Sequence, residues 1–415
     1  MSDIAIDTEV PLRPLSGFQQ AMIALASVAM GAGMTINFVV VSPLARKAGL
    51  TELQVAGILT LSAALYALMI PQWGRWADRF GRKRVMVFSL FAMGLTNMVF
   101  LFALEAALAG VLTGLTMFFT LVFVRIWFGL LSPGLQPASM AAMTDATTAT
   151  TRAGGLGMLG AAMSIGSILG PAGAAVLANF GALAPLWGSI IFCILCGLLV
   201  GFTLPKTRAT APSGERPTPL AMTDRRVLPH LVFLFTYFLA VAMIQQTLGW
   251  FIEDRYMESL SLTEADLVDL TGRAFMCLAV MMVVIQFGYV QPFRPDPRKM
   301  LPVGLMLVAA GYIMANLVAP FWLLCVAFII VGAGAALTVP AANALGSLSV
   351  ERHEQAGAAA LLSAAPPSGF IFGPLIGAGL YEITPALPFY VAASVMALLG
   401  FYALLVTGRR PLGAN

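Results

Sequence analysis

Charge is what this sequence has least of. Only 10% of its 415 residues are Asp, Glu, Lys or Arg, against about 25% in a typical soluble domain, and so few charges cannot cover a water-facing surface of this size. Histidine occurs twice, at His230 and His353, far apart and at the ends of apolar segments, which argues against a metal or catalytic centre. The four cysteines, Cys193, Cys196, Cys277 and Cys325, all fall inside apolar segments. There zinc would need more ligands and a disulfide more reach, and the CxxC spacing of Cys193 and Cys196 reads as helix packing. No nucleotide loop of the form GxxxxGKS and no nucleophile–base pair appears, so neither an ATP-driven pump nor a membrane-embedded enzyme is expected. No cofactor or metal is expected, and without a solvated basic domain nucleic acid is not an expected partner. A cleavable signal peptide is not expected either: the first apolar stretch follows a tail with three acids and is too long for a signal h-region.

What is present is apolar length. Hydrophobic residues make up 59% of the chain and come in runs near the roughly 20 residues a helix needs to cross a bilayer. Breaks at Pro, Gly and charge give twelve predicted spans, near 17–41, 53–73, 85–107, 114–143, 154–178, 183–204, 230–252, 267–291, 300–318, 321–343, 357–382 and 385–407. The fold class expected is an all-α membrane protein in two pseudo-symmetric six-helix bundles, 1–204 and 230–415. Between them, 205–229 reads as a solvated cytoplasmic linker holding five Lys or Arg, several Pro, and Ser and Thr. With the N-terminus inside, 18 Lys or Arg fall on the cytoplasmic side and only Arg46, Lys47 and Arg255 outside. That bias places both termini in the cytoplasm. The two halves also echo each other: Gly166–Ala175 (GSILGPAGAA) in the fifth span recurs as Gly369–Ala378 (GFIFGPLIGA) in the eleventh. Parallel repeats of this kind mark transporters.

Between spans two and three stands GRWADRFGRKR, from Gly74 to Arg84. Glycines let two helices meet in a short turn, and a carboxylate there can accept hydrogen bonds from the free amides of a neighbouring helix N-terminus. The segment resembles the loop signature of the major facilitator superfamily, GxxxDRxGRKx, with Gly74, Asp78, Arg79, Gly81, Arg82 and Lys83 at the fixed positions. The resemblance implies a twelve-span transporter in which Asp78 latches the halves shut on the inside against the start of span eleven, near Gly357. Asp145, at the inner end of span four, is placed with this gate.

The fourth span carries Arg125, Gly129, Ser132, Gln136 and Ser139 at three- and four-residue steps, on one helical face. Arg125 falls close to mid-bilayer, where a charge costs about 3 kcal/mol on insertion scales and should face the bundle interior or a water-filled cavity. Arg125 to Gly129 is similar to the superfamily's fourth-span RxxxG motif. In the fifth span Gly157, Gly166, Gly170 and Pro171 resemble the motif of proton-coupled exporters. There Ala174 and Ala175 replace its terminal glycines. Small residues permit close helix approach and proline frees a backbone carbonyl, so a hinge-like contact is expected here and at Gly369, Gly373, Pro374 and Gly377.

No Asp or Glu lies at the centre of any span. Proton coupling therefore enters through the resemblance, with Glu253, Asp254 and Asp269 at span ends as the candidate titrating groups. Arg125 and Arg273 give the interior two positive charges and no central negative one, which points to an anionic, zwitterionic or carboxylate-bearing substrate such as a secreted metabolite, a siderophore-like chelator or an acidic drug. Asp269, four residues before Arg273, is placed to neutralise it. Asn37, Tyr66, Gln136, Tyr237, Gln245, Gln246 and Asn343 are the other polar side chains assigned to the cavity. The expected function is efflux by alternating access in a bacterial inner membrane, as a monomer whose partners are a small-molecule substrate, protons and the lipid bilayer. An uptake symporter or facilitator would share the fold.

Overall fold

The computed structural model describes residues 15–148, 152–205, 223–260, 263–317, 320–351, 354, 358, 361–362 and 364–407. Every regular element among them is helical. The helices are α1 Gly17–Lys47, α2 Glu52–Phe80, α3 Arg82–Leu108, α4 Gly114–Leu131, α5 Leu135–Asp145, α6 Arg152–Ala178 and α7 Ala184–Thr203, then α8 Leu228–Leu260, α9 Glu264–Ile285, α10 Pro297–Leu317, α11 Phe321–Ser347, α12 Ala365–Ile383 and α13 Leu387–Thr407. Eleven stretches of the described residues are long and apolar enough to span a bilayer, and α12, packed between α2 and α8, lies within the predicted eleventh span.

Local chemistry explains several boundaries. Ser16 with Gln19 and Thr51 with Gln54 form reciprocal capping boxes that satisfy the first free amides of α1 and α2. Gly81 turns the chain from α2 into α3 at φ +96°, a left-handed backbone that glycine adopts without a Cβ clash. The helices outrun the apolar runs: α1 continues to Lys47 and α8 to Leu260, about two turns past the predicted ends of their spans. Polar residues there stop a hydropathy reading but not the hydrogen-bond ladder.

The fourth span, expected as one helix over 114–143, is broken. Ser132, Pro133 and Gly134 interrupt it between α4 and α5, and Trp73 Nε1 donates to Leu130 O at the break (2.8 Å). Gly134 sits so close to Ser89, Trp73 and Val85 that no Cβ fits. The eighth span continues from α9 through a π-turn, Gln286–Val290, a wide turn that re-aims the helix.

The helix pairings repeat along the chain. α1 packs on α6 and α3 on α7, as α8 packs on α12 and α10 on α13. Residues 15–205 meet residues 223–407 chiefly through α6 on α9, α2 on α12 and α1 on α8. One end of the molecule, here the linker face, carries the Gly81 turn and the residues flanking the central linker. The opposite end, the distal face, carries the 48–51 turn. Towards the distal face one apolar core runs through both portions, joining Val40 and Leu44 to Leu248 and Trp250. Towards the linker face residues 15–205 keep a core of their own, with Ile23, Met86, Met143 and Val200. Outward-facing Leu68, Phe202 and Phe401 are more than half exposed, the surface expected of helices solvated by lipid.

Candidate functional site

Arg125 lies halfway along the fourth span and is only 2% exposed. α4 comes close to α2 at Gly129, where a Cβ would lie 2.7 Å from Ser62 O. Ser62 Oγ donates to Arg125 O (3.1 Å), tying the same two helices. The Arg125 guanidinium donates to Asn37 Oδ1 on α1 (2.7 Å) and stands 3.9 Å from the centre of the Phe100 ring, a cation–π contact that offsets part of its desolvation. Phe128 covers it at 5.4 Å, with Tyr66 stacked on Phe128. Asn37 spends its own amide on Gly33 O (2.7 Å). Nε of Arg125 has no acceptor, and no described carboxylate pairs with the guanidinium. The result is a buried, charge-uncompensated cation with one amide partner.

A second cluster joins the two portions at the distal face. Arg46, at the end of α1, bonds Asp254 (2.6 Å) and Glu253 (3.3 Å) on α8 and Glu52 on α2 (3.0 Å). Tyr381 on α12 donates to Asp254 Oδ2 (2.7 Å). One turn below, Gln246 Nε2 donates to Ser42 Oγ (3.1 Å) and Trp250 Nε1 to Ser42 O (2.8 Å). Lys47 pairs with Glu264, and the Leu53 amide reaches Glu382 (3.4 Å). One guanidinium thus meets two carboxylates across the seam, Glu253 and Asp254, and one on its own side, Glu52. The carbonyl oxygens of Gln245 and Gln246 are buried there without a donor.

At the linker face the polar contacts stay within each portion among the described residues. Arg82 pairs with Asp145 and with Asp78 (3.3 Å), and donates to Ala141 O (2.8 Å). Lys83 donates to Leu204 O. Asp78 is more than half exposed; its expected partner near Gly357 lies outside the described residues. Gly74 has only an ordinary contact with Pro137, and Arg79 lies beside the Phe80 ring. In the other portion Arg226 bridges Asp224 (2.9 Å) and Glu354 (2.7 Å). The Arg226 guanidinium holds the Asp224 carboxyl below its usual value, and the two carboxylates push the arginine's own value up.

The small-residue motifs seat helices within each portion. Gly166 and Gly170 lie against backbone of α1 at Val28 and Ala32, and Gly369, Gly373 and Gly377 against α8 at Phe238, Leu239 and Met243. Gly157 meets nothing. The α6–α9 crossing between the portions rests on the other side of the fifth span. There a Cβ on Gly272 would lie 2.8 Å from Pro171 O and 3.0 Å from Ala175 Cβ. Where the exporter motif would have glycine, this chain has Ala175, and the glycine sits on the opposing helix.

The residues assigned to one cavity do not form one group. Asn37, Tyr66 and Arg125 come together; Gln245 and Gln246 belong to the distal seam. Tyr237 is buried beside Phe238, and Gln136 is half-buried. Asn343 is exposed and returns its amide to Val339 O (3.1 Å). Arg273 is not an interior charge: it is 54% exposed and paired with Asp269 (2.6 Å), one turn from the outward groove of Met276, Cys277 and Val280. Sequence reasoning missed Arg46, Ser42, Trp250, Tyr381 and Gly272. Their roles depend on partners roughly a hundred to two hundred residues away, and no local pattern signals them.

The family model of the Major Facilitator Superfamily matches residues 22–293 and 293–415. Multidrug resistance protein 2 of Bacillus subtilis is 24% identical over 354 residues, 82% of this chain and 83% of its own. The class B tetracycline resistance protein of Escherichia coli is 24% identical over 397 residues, 91% of each chain. In fold, the chain is similar to the crystal structure of a bacterial homolog of the human lysosomal transporter Spinster, with a TM-score of 0.66 and 14% identity over 95% of this chain and 96% of that one. Eleven membrane-length apolar helices among the described residues, their repeated pairings, the Gly81 turn and the full-length family match lead to one conclusion: this multi-pass membrane protein, a transporter and not an enzyme, belongs to the major facilitator superfamily.

Proposed function

We propose that the chain is a proton-coupled exporter of small anionic or zwitterionic organic compounds, working by alternating access in a bacterial inner membrane. The 18 to 3 split of basic residues puts the linker face and both termini in the cytoplasm. Residues 1–204 and 230–415 are the two rocking halves and 205–229 the tether between them. The conformation is sealed outside by the Arg46 cluster and the Ser42 contacts. Inside, the described residues of the two halves share no hydrogen bond or ion pair.

The observation that carries the cargo reading is Arg125. A buried cation with no carboxylate partner attracts a substrate carboxylate strongly and penalises a substrate cation. Its positive field is also the reason an anion would enter between the halves, and parting the Tyr66–Phe128 stack would open the route to its free Nε.

Coupling follows from the distal charge balance. Arg46 can compensate only one of Glu52, Glu253 and Asp254, so a proton on Glu253 or Asp254 relieves repulsion and weakens the Arg46 bonds together. Proton entry from outside would thereby favour opening of the distal gate. Asp269 has a different role, neutralising Arg273 on the flank of the bundle. Relatives named for multidrug and tetracycline resistance support the export direction.

The test is expression in a host stripped of its own exporters, with compounds whose cellular level falls profiled with and without the proton gradient. Gradient-dependent depletion of anionic compounds, lost in Arg125→Ala, is the expected result. Export of simple quaternary ammonium compounds unaffected by Arg125→Ala would overturn the cargo reading.

A further inference from the structure

The loop between α2 and α3 holds more positive charge than the fold uses. Of its five cations, Arg82 is engaged by Asp145, Asp78 and the Ala141 carbonyl, and Lys83 by the Leu204 carbonyl. Arg79 lies over the Phe80 ring, 5.5 Å from its centre. Arg75 and Arg84 are exposed and pair with no described carboxylate. Positive-inside topology accounts for the sign of these residues but not for where Arg84 sits.

Arg84 stands on the wall of an outward-facing slot of about 400 Å³, lined otherwise by Trp73, Trp76, Phe80, Val85 and Phe88. That volume falls in the range of small-molecule sites. The slot is built and held. Trp73 is buried and fixed by its bond to Leu130 O, stacks on Phe88 (5.4 Å between centres) and meets Trp76 edge-on (4.7 Å). Val85 lines the slot and is buried. From Trp73 to Phe80 the slot follows α2 for roughly 10 Å, along a helix axis that runs into the bilayer from the linker face. It is therefore an aromatic channel with an exposed guanidinium, paired with no described carboxylate, at the end where lipid headgroups lie.

We propose that this slot binds one anionic phospholipid, with the phosphate of the headgroup on Arg84 and an acyl chain along the aromatic walls. The geometry fits both parts of that ligand. An acyl chain packs along Trp76, Phe80 and Phe88, and a phosphate gives Arg84 the fork-shaped acceptor that no described carboxylate provides. A zwitterionic lipid offers the same chain, but its ammonium group opposes the arginine. Because Arg84 lies two residues from Arg82, the bound lipid would sit beside the Arg82–Asp145–Asp78 network and sense its movement. The proposal requires only that the linker face meet a headgroup layer, and it is independent of cargo and coupling.

Native mass spectrometry of the full chain in detergent, with equimolar phosphatidylglycerol and phosphatidylcholine of matched chains, tests it. The wild type is expected to retain one phosphatidylglycerol in preference. Arg84→Gln is expected to reduce that preference about five-fold, the factor for one basic residue at a membrane surface. Phe88→Ala is expected to reduce retention of the lipid as well, whereas Arg294→Gln, an exposed arginine of the other portion, keeps the wild-type preference. Equal retention of the two lipids, an unchanged preference in Arg84→Gln, or an equal loss in Arg294→Gln would each overturn the proposal. So would glycerol phosphate, which has no acyl chain, matching the whole lipid.

Discussion

Replacing Arg46 with glutamine should open the distal face. The side chain is a quarter exposed, and its three carboxylate partners, Glu52, Glu253 and Asp254, are between 17% and 33% exposed, so solvent screens each pair only in part. At an effective dielectric of 20 a pair 4 Å apart is worth about 4 kcal/mol before desolvation. Removing one member of a substantially buried pair costs about 3–5 kcal/mol; discounting for partial exposure leaves roughly 2–3 kcal/mol against the sealed state. At 1.4 kcal/mol per decade this shifts the equilibrium roughly 30- to 150-fold. A distal-open state populated at about 1% would become a substantial or majority population. Spin labels at Val111, just beyond the distal end of α3, and at Leu317, the last residue of α10, both exposed, report the separation of the halves by pulsed electron paramagnetic resonance. The long-distance population should rise in Arg46→Gln and fall back when Glu253→Gln and Asp254→Asn are added. An unchanged distance distribution in Arg46→Gln would show that the cluster does not hold the seam.

The remaining predictions concern other contacts. Gly272→Ala places a Cβ against Pro171 O and Ala175 and should cost about 1–3 kcal/mol, read as a lower Tm in a fluorescence thermal shift; Ala175→Gly should recover part of it, and an additive double variant would count against direct contact. Asn37→Asp puts a carboxylate at the only described side-chain hydrogen-bond acceptor of Arg125, so competition assays should show weaker transport of anions and gained transport of lipophilic cations. The Asp224–Arg226 pair carries a pH signature with a definite sign. The Asp224 pKa is depressed by Arg226, so its contribution is fully present above the ordinary carboxylate value, declines below it, and is gone only once pH has fallen through the depressed value. Arg226→Gln should therefore lower Tm more at pH 7 than at pH 3, and an equal loss at both would refute the assignment.

How much was legible in the sequence depended on the reach of the interaction. The spans and the Gly81 turn are written in local patterns: apolar runs, proline and glycine breaks, and a fixed-spacing motif. The burial of Arg125 was also legible, because a charge inside an apolar run has few physical solutions, whereas its bond to Asn37 joins residues 88 apart that no local pattern pairs. Arg273 was not, because its burial depends on which face of α9 meets α6, and that face is set by Gly272 rather than by anything near the arginine. The break in the fourth span was visible as Ser132-Pro133-Gly134 but was overridden by the length of the apolar run. Arg46 looked like a topology marker because its partners Glu253 and Asp254 are about two hundred residues away. The repeat between spans five and eleven was recognised, yet its glycines serve packing within each portion, since a small residue identifies close approach without naming the helix that approaches.

Flux in everted membrane vesicles tests the central claim most directly. With the lumen acidified, the chain should concentrate a carboxylate-bearing dye inside the vesicles, collapse of the pH gradient should stop it, and Arg125→Ala and the Glu253→Gln, Asp254→Asn pair should each abolish it. Uptake of the dye that is indifferent to the gradient and to all three substitutions would contradict the account.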